Sequence, residues 1–167
     1  MANARFKRWL YRGGRPNPLA RAINRGWAVL HSLGIDPGRM VTLRVVGRRS
    51  GRLISFPLAM TSLGGERYLV SMLGSNAAWV QNVRAAGGSA TLVHGRTEHV
   101  RLEEVAAEAR PPILKAYLGL APGARPHIPV DRDAPLEAFA AVAADFPVFR
   151  IRVETGSTSE QHAPGGN

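Results

Sequence analysis

The feature that most constrains the fold is a change of pattern at Met40. From there the chain breaks into short runs rich in β-branched and apolar residues, punctuated by glycine turns. Strands are predicted over 40–46, 54–61 and 67–72, joined at Gly47 to Gly51 and at Gly64-Gly65, which makes two hairpins. A helix fits from Asn76 to Ala86, with Ser75 as its cap and Gly87-Gly88 as its stop. Two further strands, 90–93 and 97–102, turn at Gly95.

Pro111 and Pro112 suit the first turn of a helix that carries Ile113, Leu114, Tyr117 and Leu118 and is released by Gly119. Residues 119–132 read as loop. A helix opened by Asp133 and Pro135 would turn Leu136, Phe139, Ala140 and Ala143 inward, and a last strand, 148–153, would bury Phe149, Ile151 and Val153. Short antiparallel strands with a helix inserted after the third predict an α+β, mainly β chain. The pattern favours a small barrel of about six antiparallel strands with flanking helices over a doubly wound sheet. No internal repeat is present.

Ahead of the barrel, residues 1–37 read as a basic, amphipathic helical segment, and from 155 to the end the chain reads as a disordered tail, leaving 38–154 as the barrel domain. Phe6, Trp9 and Leu10 have helical spacing. Asn17 and Pro18 open a helix whose one face holds Leu19, Ile23, Trp27, Leu30 and Leu33 and whose other holds Arg21 and Arg25. A helix packed on the domain explains that pattern, and so does peripheral contact of residues 1–30 with a membrane surface.

Charge is lopsided. Residues 1–52 hold 12 Lys or Arg against one acid, Asp36, whereas the remainder holds 10 against 11. Such an excess attracts an anionic partner: nucleic acid, a lipid surface, or a phosphorylated or carboxylated small molecule. The chain has no cysteine, which excludes thiolate metal sites and disulfide or cysteine chemistry. His31, His94, His99, His127 and His162 lack metal-ligand spacing, so no metal is expected, and no GxSxG elbow occurs. Without a continuous apolar N-terminal stretch, the chain is expected in the cytoplasm, with peripheral contact on the inner face of the membrane compatible with its basic segment.

Two constellations could carry chemistry. Gly47-Arg48-Arg49-Ser50-Gly51-Arg52 is a glycine-bracketed turn whose guanidinium groups, hydroxyl and amides suit an anion. An arginine-rich hairpin tip kept soluble by its charge would look the same. In the stretch 74–84, Trp79 and Asn82 share a helix face, an arrangement that suits a bound heterocycle. A core tryptophan beside an asparagine tying down nearby backbone accounts for the pair equally well.

Taken in order, Gly47-Arg48-Arg49-Ser50-Gly51, Pro57, Gly74 and Trp79-Val80-Gln81-Asn82-Val83-Arg84-Ala85 resemble the deazaflavin-dependent nitroreductase family of flavin/deazaflavin oxidoreductases. The resemblance spans roughly residues 38–105 and is weaker over 111–153. It implies a split β-barrel that binds coenzyme F(420), an 8-hydroxy-5-deazaflavin with a phosphate and a glutamate tail. It places Arg48, Arg49 and Ser50 at the anionic tail and Pro57 near the ring. Ser71, Met72, Leu73, Gly74, Trp79 and Asn82 would lie along the pocket. Many members carry proline and arginine where this chain has Leu53 and Ile54, and Arg52 is placed to supply that tail contact. Many also have a proline where this chain has Ala77 and Ala78.

The activity implied is hydride transfer from the reduced cofactor to a quinone, a nitroaromatic or an activated alkene. The cofactor then carries the chemistry, and no catalytic residue is compulsory. Tyr117 is the one candidate for a catalytic group, as a proton donor or a cap on the ring, with ordinary packing as its plainer role. His127 is a candidate for shaping the substrate mouth. Flavin mononucleotide (FMN) is the alternative cofactor, since its phosphate suits Arg48 and Arg49. A non-catalytic fatty-acid or small-ligand carrier on the same barrel is the alternative function. Nucleic-acid binding ranks last, because no nucleic-acid motif accompanies the basic segment. The expected assembly is a monomer or a homodimer.

Overall fold

The structure is a computed structural model that describes residues 25–28, 35–121, 124 and 126–155. Six strands form a closed antiparallel barrel in the order β1-β2-β3-β6-β5-β4. They are β1 (Met40–Val46), β2 (Leu53–Leu63), β3 (Glu66–Val70), β4 (Ser89–His94), β5 (Arg96–Glu104) and β6 (Val148–Val153). Helix α1 (Ala78–Ala85) lies between β3 and β4, and α2 (Pro111–Leu120) and α3 (Leu136–Val142) lie between β5 and β6.

Alternation along the strands builds two cores. Val41, Leu43 and Val45 of β1 point into the barrel with Leu69, Leu92, Val100, Phe149 and Ile151, where α1 adds Trp79, Val80 and Val83. The second core lies outside the barrel wall. Tyr68 and Val70 of β3 and Ala59 of β2 meet Ile113, Leu114, Tyr117 and Leu118 of α2 and Phe139 of α3. β3 is therefore covered on both faces.

Helix α1 ends where the glycine pair predicts. The Gly88 N–H donates to the Val83 carbonyl at 2.9 Å and the Gly87 N–H to the Arg84 carbonyl at 3.1 Å, the paired bonds of a glycine-terminated helix. Gly88 has φ +85° and lies so close to β5 that an added Cβ would sit 2.5 Å from the Leu102 carbonyl oxygen. Its start differs from the sequence expectation. The helix opens at Ala78 after Ala77, with no side-chain cap, because Ser75 and Asn76 belong to a preceding turn.

Three further expectations are corrected. α2 runs through Gly119 to Leu120 rather than ending at the glycine. α3 is only two turns long and docks through Phe139, so Leu136 at its first position is 45% exposed and Ala140 is exposed too. Val153 is 50% exposed at the last rung of β6, where it pairs with Val100. Of the N-terminal helix, only residues 25–28 lie among those described, and they are helical. The expectations for residues 1–24, 29–34 and 156–167 lie outside the described residues. No described helix is long and apolar enough to cross a membrane.

Candidate functional site

The site begins where two strands part. β2 pairs with β1 from Leu53 to Ala59, but with β3 only from Met60 to Leu63. Past Met60↔Leu69, β3 follows β6, with Val70 opposite Val148 and the Ser71 N–H donating to the Pro147 carbonyl at 2.9 Å. Over residues 53–59 no described strand pairs with the other edge of β2, and Pro57, which cannot donate a ladder hydrogen bond, falls in that stretch.

The gap is a cavity of about 230 Å³. One wall is Phe56, Pro57, Leu58 and Ala59, and the other is Val70, Ser71, Met72 and Leu73. Trp79 from α1, Tyr117 from α2 and Gly26 complete the lining. Trp79 stands edge-on to Phe149, ring centroids 5.5 Å apart, which fixes the indole between the barrel core and the cavity. The Ser71 hydroxyl donates to the Gly74 carbonyl at 2.7 Å, so its proton is spent within the turn. Burial pushes the Tyr117 phenol up to about 12, which keeps it protonated as a hydrogen-bond donor at neutral pH.

A second cavity, of about 300 Å³, lies at the other end of α1, lined by Val46, Gly47, Arg48 and Gly51 of the first hairpin and by Ala85 and Ala86. The hairpin tip is held by the Gly47 N–H donating to the Arg52 carbonyl at 2.7 Å and the Gly51 N–H to the Gly47 carbonyl at 2.9 Å. The Ser50 hydroxyl oxygen accepts from the Arg52 N–H at 3.2 Å. Arg48, Arg49, Ser50 and Arg52 are exposed.

Asn82 supplies the link between helix and hairpin. Its side-chain oxygen accepts from the Arg48 backbone N–H at 3.2 Å and from Arg48 Nη1 at 2.9 Å, while its residue is only 3% exposed. Trp79 and Asn82 therefore part company: the indole lines the apolar cavity, and the amide orients an arginine at the far end of the helix. The Asn82 amide ties down the backbone of the hairpin and is not among the residues that line the cavity beside the Trp79 ring.

Several arginines elsewhere in the chain are in ion pairs. Arg67 and Arg96 pair with Glu98, Arg84 and Arg110 with Glu104, Arg101 with Glu154, and Arg152 with Glu66 and Glu103. Among the described residues, no carboxylate pairs with Arg48, Arg49 or Arg52. No group of acidic and histidine side chains that could hold a metal ion occurs among the described residues. His127 lies exposed on the loop before α3 and is not part of the cavity lining.

Sequence reasoning had named Pro57, Ser71, Met72, Leu73, Trp79 and Tyr117 of the cavity lining, but not Gly26, Phe56, Leu58, Ala59 or Val70. The missing signal is register: only the pairing of β2 and β3 shows where the gap opens. Gly74 lies in the turn after β3 and outside the lining.

No family model matches the sequence, and no curated protein sequence matches it. Solved structures do. An F420-H2 dependent reductase (FDR-A) superposes with a TM-score of 0.50 at 18% identity, over 68% of this chain and 94% of its own. A protein of unknown function, Atu2129 from Agrobacterium tumefaciens, gives 0.52 at 14% identity over 70% of this chain, which spans 48% of that protein. A third structure, described as a domain-swapped dimer, gives 0.50 at 17% identity over 81% of this chain and 100% of its own. At these identities the likeness concerns architecture, and the chain has the split-barrel fold of these neighbours.

Proposed function

We propose that this protein is a deazaflavin-dependent oxidoreductase that binds coenzyme F(420) and passes a hydride to an electron-poor acceptor such as a quinone, a nitroaromatic or an activated alkene. The observation that carries this reading is the placing of two unlike cavities along one helix. An apolar cavity lies at Trp79 and a cleft lined by Arg48 of the arginine-rich hairpin lies by Ala86, roughly 10 Å apart by helical rise. A flat ring joined to an anionic tail has the polarity that this pair of cavities requires.

In this reading Arg48, Arg49 and Arg52 hold the phosphate and carboxylates, with Ser50 bracing the turn and Asn82 aiming Arg48. Pro57, Ser71, Met72, Leu73 and Trp79 wall the ring and exclude water, and Gly74 fixes the turn that presents Ser71. The cofactor, when bound, supplies a hydride from carbon 5. Tyr117, protonated throughout the neutral range, would orient the acceptor by donating a hydrogen bond from its hydroxyl. The shared fold with an F420-H2 dependent reductase supports the assignment. Residues 1–30 of the basic segment serve as a peripheral membrane contact in the same proposal, and the neighbour described as a domain-swapped dimer favours a homodimer.

A second reading has one observation in its favour. The cavity lining is almost wholly apolar, as a fatty-acid or small-ligand carrier would need. Fluorescence titration of the purified protein with oxidised coenzyme F(420) and with FMN, together with native mass spectrometry, separates the readings. Saturable deazaflavin binding supports the reductase and FMN binding alone replaces the cofactor. A co-purified acyl chain with neither cofactor bound supports the carrier.

A further inference from the structure

The helical stretch 25–28 reaches the cavity from outside the barrel. Gly26 contributes to the lining, while Trp27 packs, partly buried, against the outer core and anchors the stretch there. The approach of Gly26 to β2 is unusually close. A Cβ added to Gly26 would lie 2.3 Å from Pro57 Cγ and 3.2 Å from Pro57 Cδ.

Neither contact can be relieved on the barrel side. The pyrrolidine ring is covalently tied to its own backbone nitrogen and cannot swing to another rotamer. That backbone is fixed in turn by the pairing of Pro57 with Thr42 in the β1-β2 ladder. Any side chain at position 26 must therefore lift residues 25–28 away from the cavity.

We propose that Gly26 is a specificity-determining residue: by bringing no side chain, it lets residues 25–28 seat on Pro57 as a wall of the apolar cavity and so limits the width of the ligand admitted. The proposal rests on the cavity being the ligand site, as in the proposed function, but not on which cofactor is used. The wall excludes ligands broader than the gap between β2 and β3 while adding contact area to narrow ones. Seating and selectivity are one property here, because the atoms that touch Pro57 belong to the stretch that faces the ligand.

The test uses the full-length protein and two uncharged fluorescent probes, the narrow N-phenyl-1-naphthylamine and the broader Nile red. Four proteins are compared: wild type, Gly26→Ala, Pro57→Ala, and the double variant, each with its melting midpoint. In the wild-type background Gly26→Ala should weaken the narrow probe at least about fivefold, the scale of a local overpacking cost, relative to the broad one. In the Pro57→Ala background, where Cγ and Cδ are gone, the same substitution should change the ratio of the two affinities by less than about twofold. An unchanged ratio in Gly26→Ala, or an equal change in both backgrounds, overturns the proposal, as does failure of the narrow probe to bind wild type. Should Gly26→Ala fold poorly, recovery of its melting midpoint in the double variant supports the seating, and no recovery overturns it. Coenzyme F(420) failing to bind while the probes follow this cycle removes only the cofactor assignment.

Discussion

At the scale of single residues, the account turns on what each polar group is already doing. Arg48 and Arg49 have no carboxylate partner among the described residues, and a charge-assisted hydrogen bond contributes about 1.5–3 kcal/mol. Arg49→Ala should therefore weaken coenzyme F(420) by roughly tenfold or more, measured by titration, while leaving the melting midpoint nearly unchanged. Asn82→Ala differs in kind, because the residue is buried and serves both the Arg48 backbone and its guanidinium. It should lower both cofactor affinity and melting midpoint. Tyr117→Phe should leave affinity within about twofold and reduce turnover, since the change removes the hydrogen-bond donor and keeps the ring. With the phenol held near 12 by burial, its ionisation should impose no alkaline loss of activity below about pH 10, and a limb at neutral pH that vanishes in Tyr117→Phe would contradict this. The residue types of the hairpin and of Trp79-Val80-Gln81-Asn82 were legible in the sequence. The partner of Asn82 was not, because Arg48 is 34 residues away and the contact exists only after α1 has docked on the first hairpin.

At the scale of elements, glycines, prolines and alternation marked most boundaries, and burial decided the rest. β1 and β6 have the predicted limits, since each is bounded by a clear change of residue type. β2 runs to Leu63, beyond the predicted Thr61, because its pairing with β3 continues up to the Gly64-Gly65 turn. Helix α1 carries its own stop, and Gly88→Ala should cost roughly 1–3 kcal/mol, seen as a fall of several degrees in melting midpoint, by forcing a side chain into left-handed backbone. The cost should exceed that of Gly87→Ala, for at Gly87 no atom lies within 4 Å of an added Cβ. The exterior of the barrel is laced by ion pairs. The hydrogen bond from Arg67 holds the buried Glu98 carboxyl below the usual glutamate range, and that from Arg84 does the same for Glu104. Both folded-state values are depressed, so their stabilisation is complete above the ordinary glutamate range and is lost as the pH falls through the lowered values. Denaturant unfolding followed from pH 7 to pH 3 should show this loss, and Glu98→Gln should flatten it.

At the scale of the whole molecule, one topological fact organises the rest. The barrel closes through all six strands, yet β2 and β3 share only a short ladder, and the cavity lies where they separate. Composition and periodicity were enough to predict a mainly β barrel with flanking helices. They could not show that α1 has the apolar cavity at one end and the arginine cleft at the other. Such a site predicts that both ends engage one molecule. The direct measurement compares coenzyme F(420) with the same deazaflavin lacking its phosphate and glutamate tail, titrated against wild type and Arg48→Ala/Arg49→Ala. The account predicts that the full cofactor binds wild type at least about tenfold more tightly than the tail-less one, and that the double variant abolishes the difference. Equal binding of the two to wild type, or a difference that survives the loss of both arginines, would contradict it.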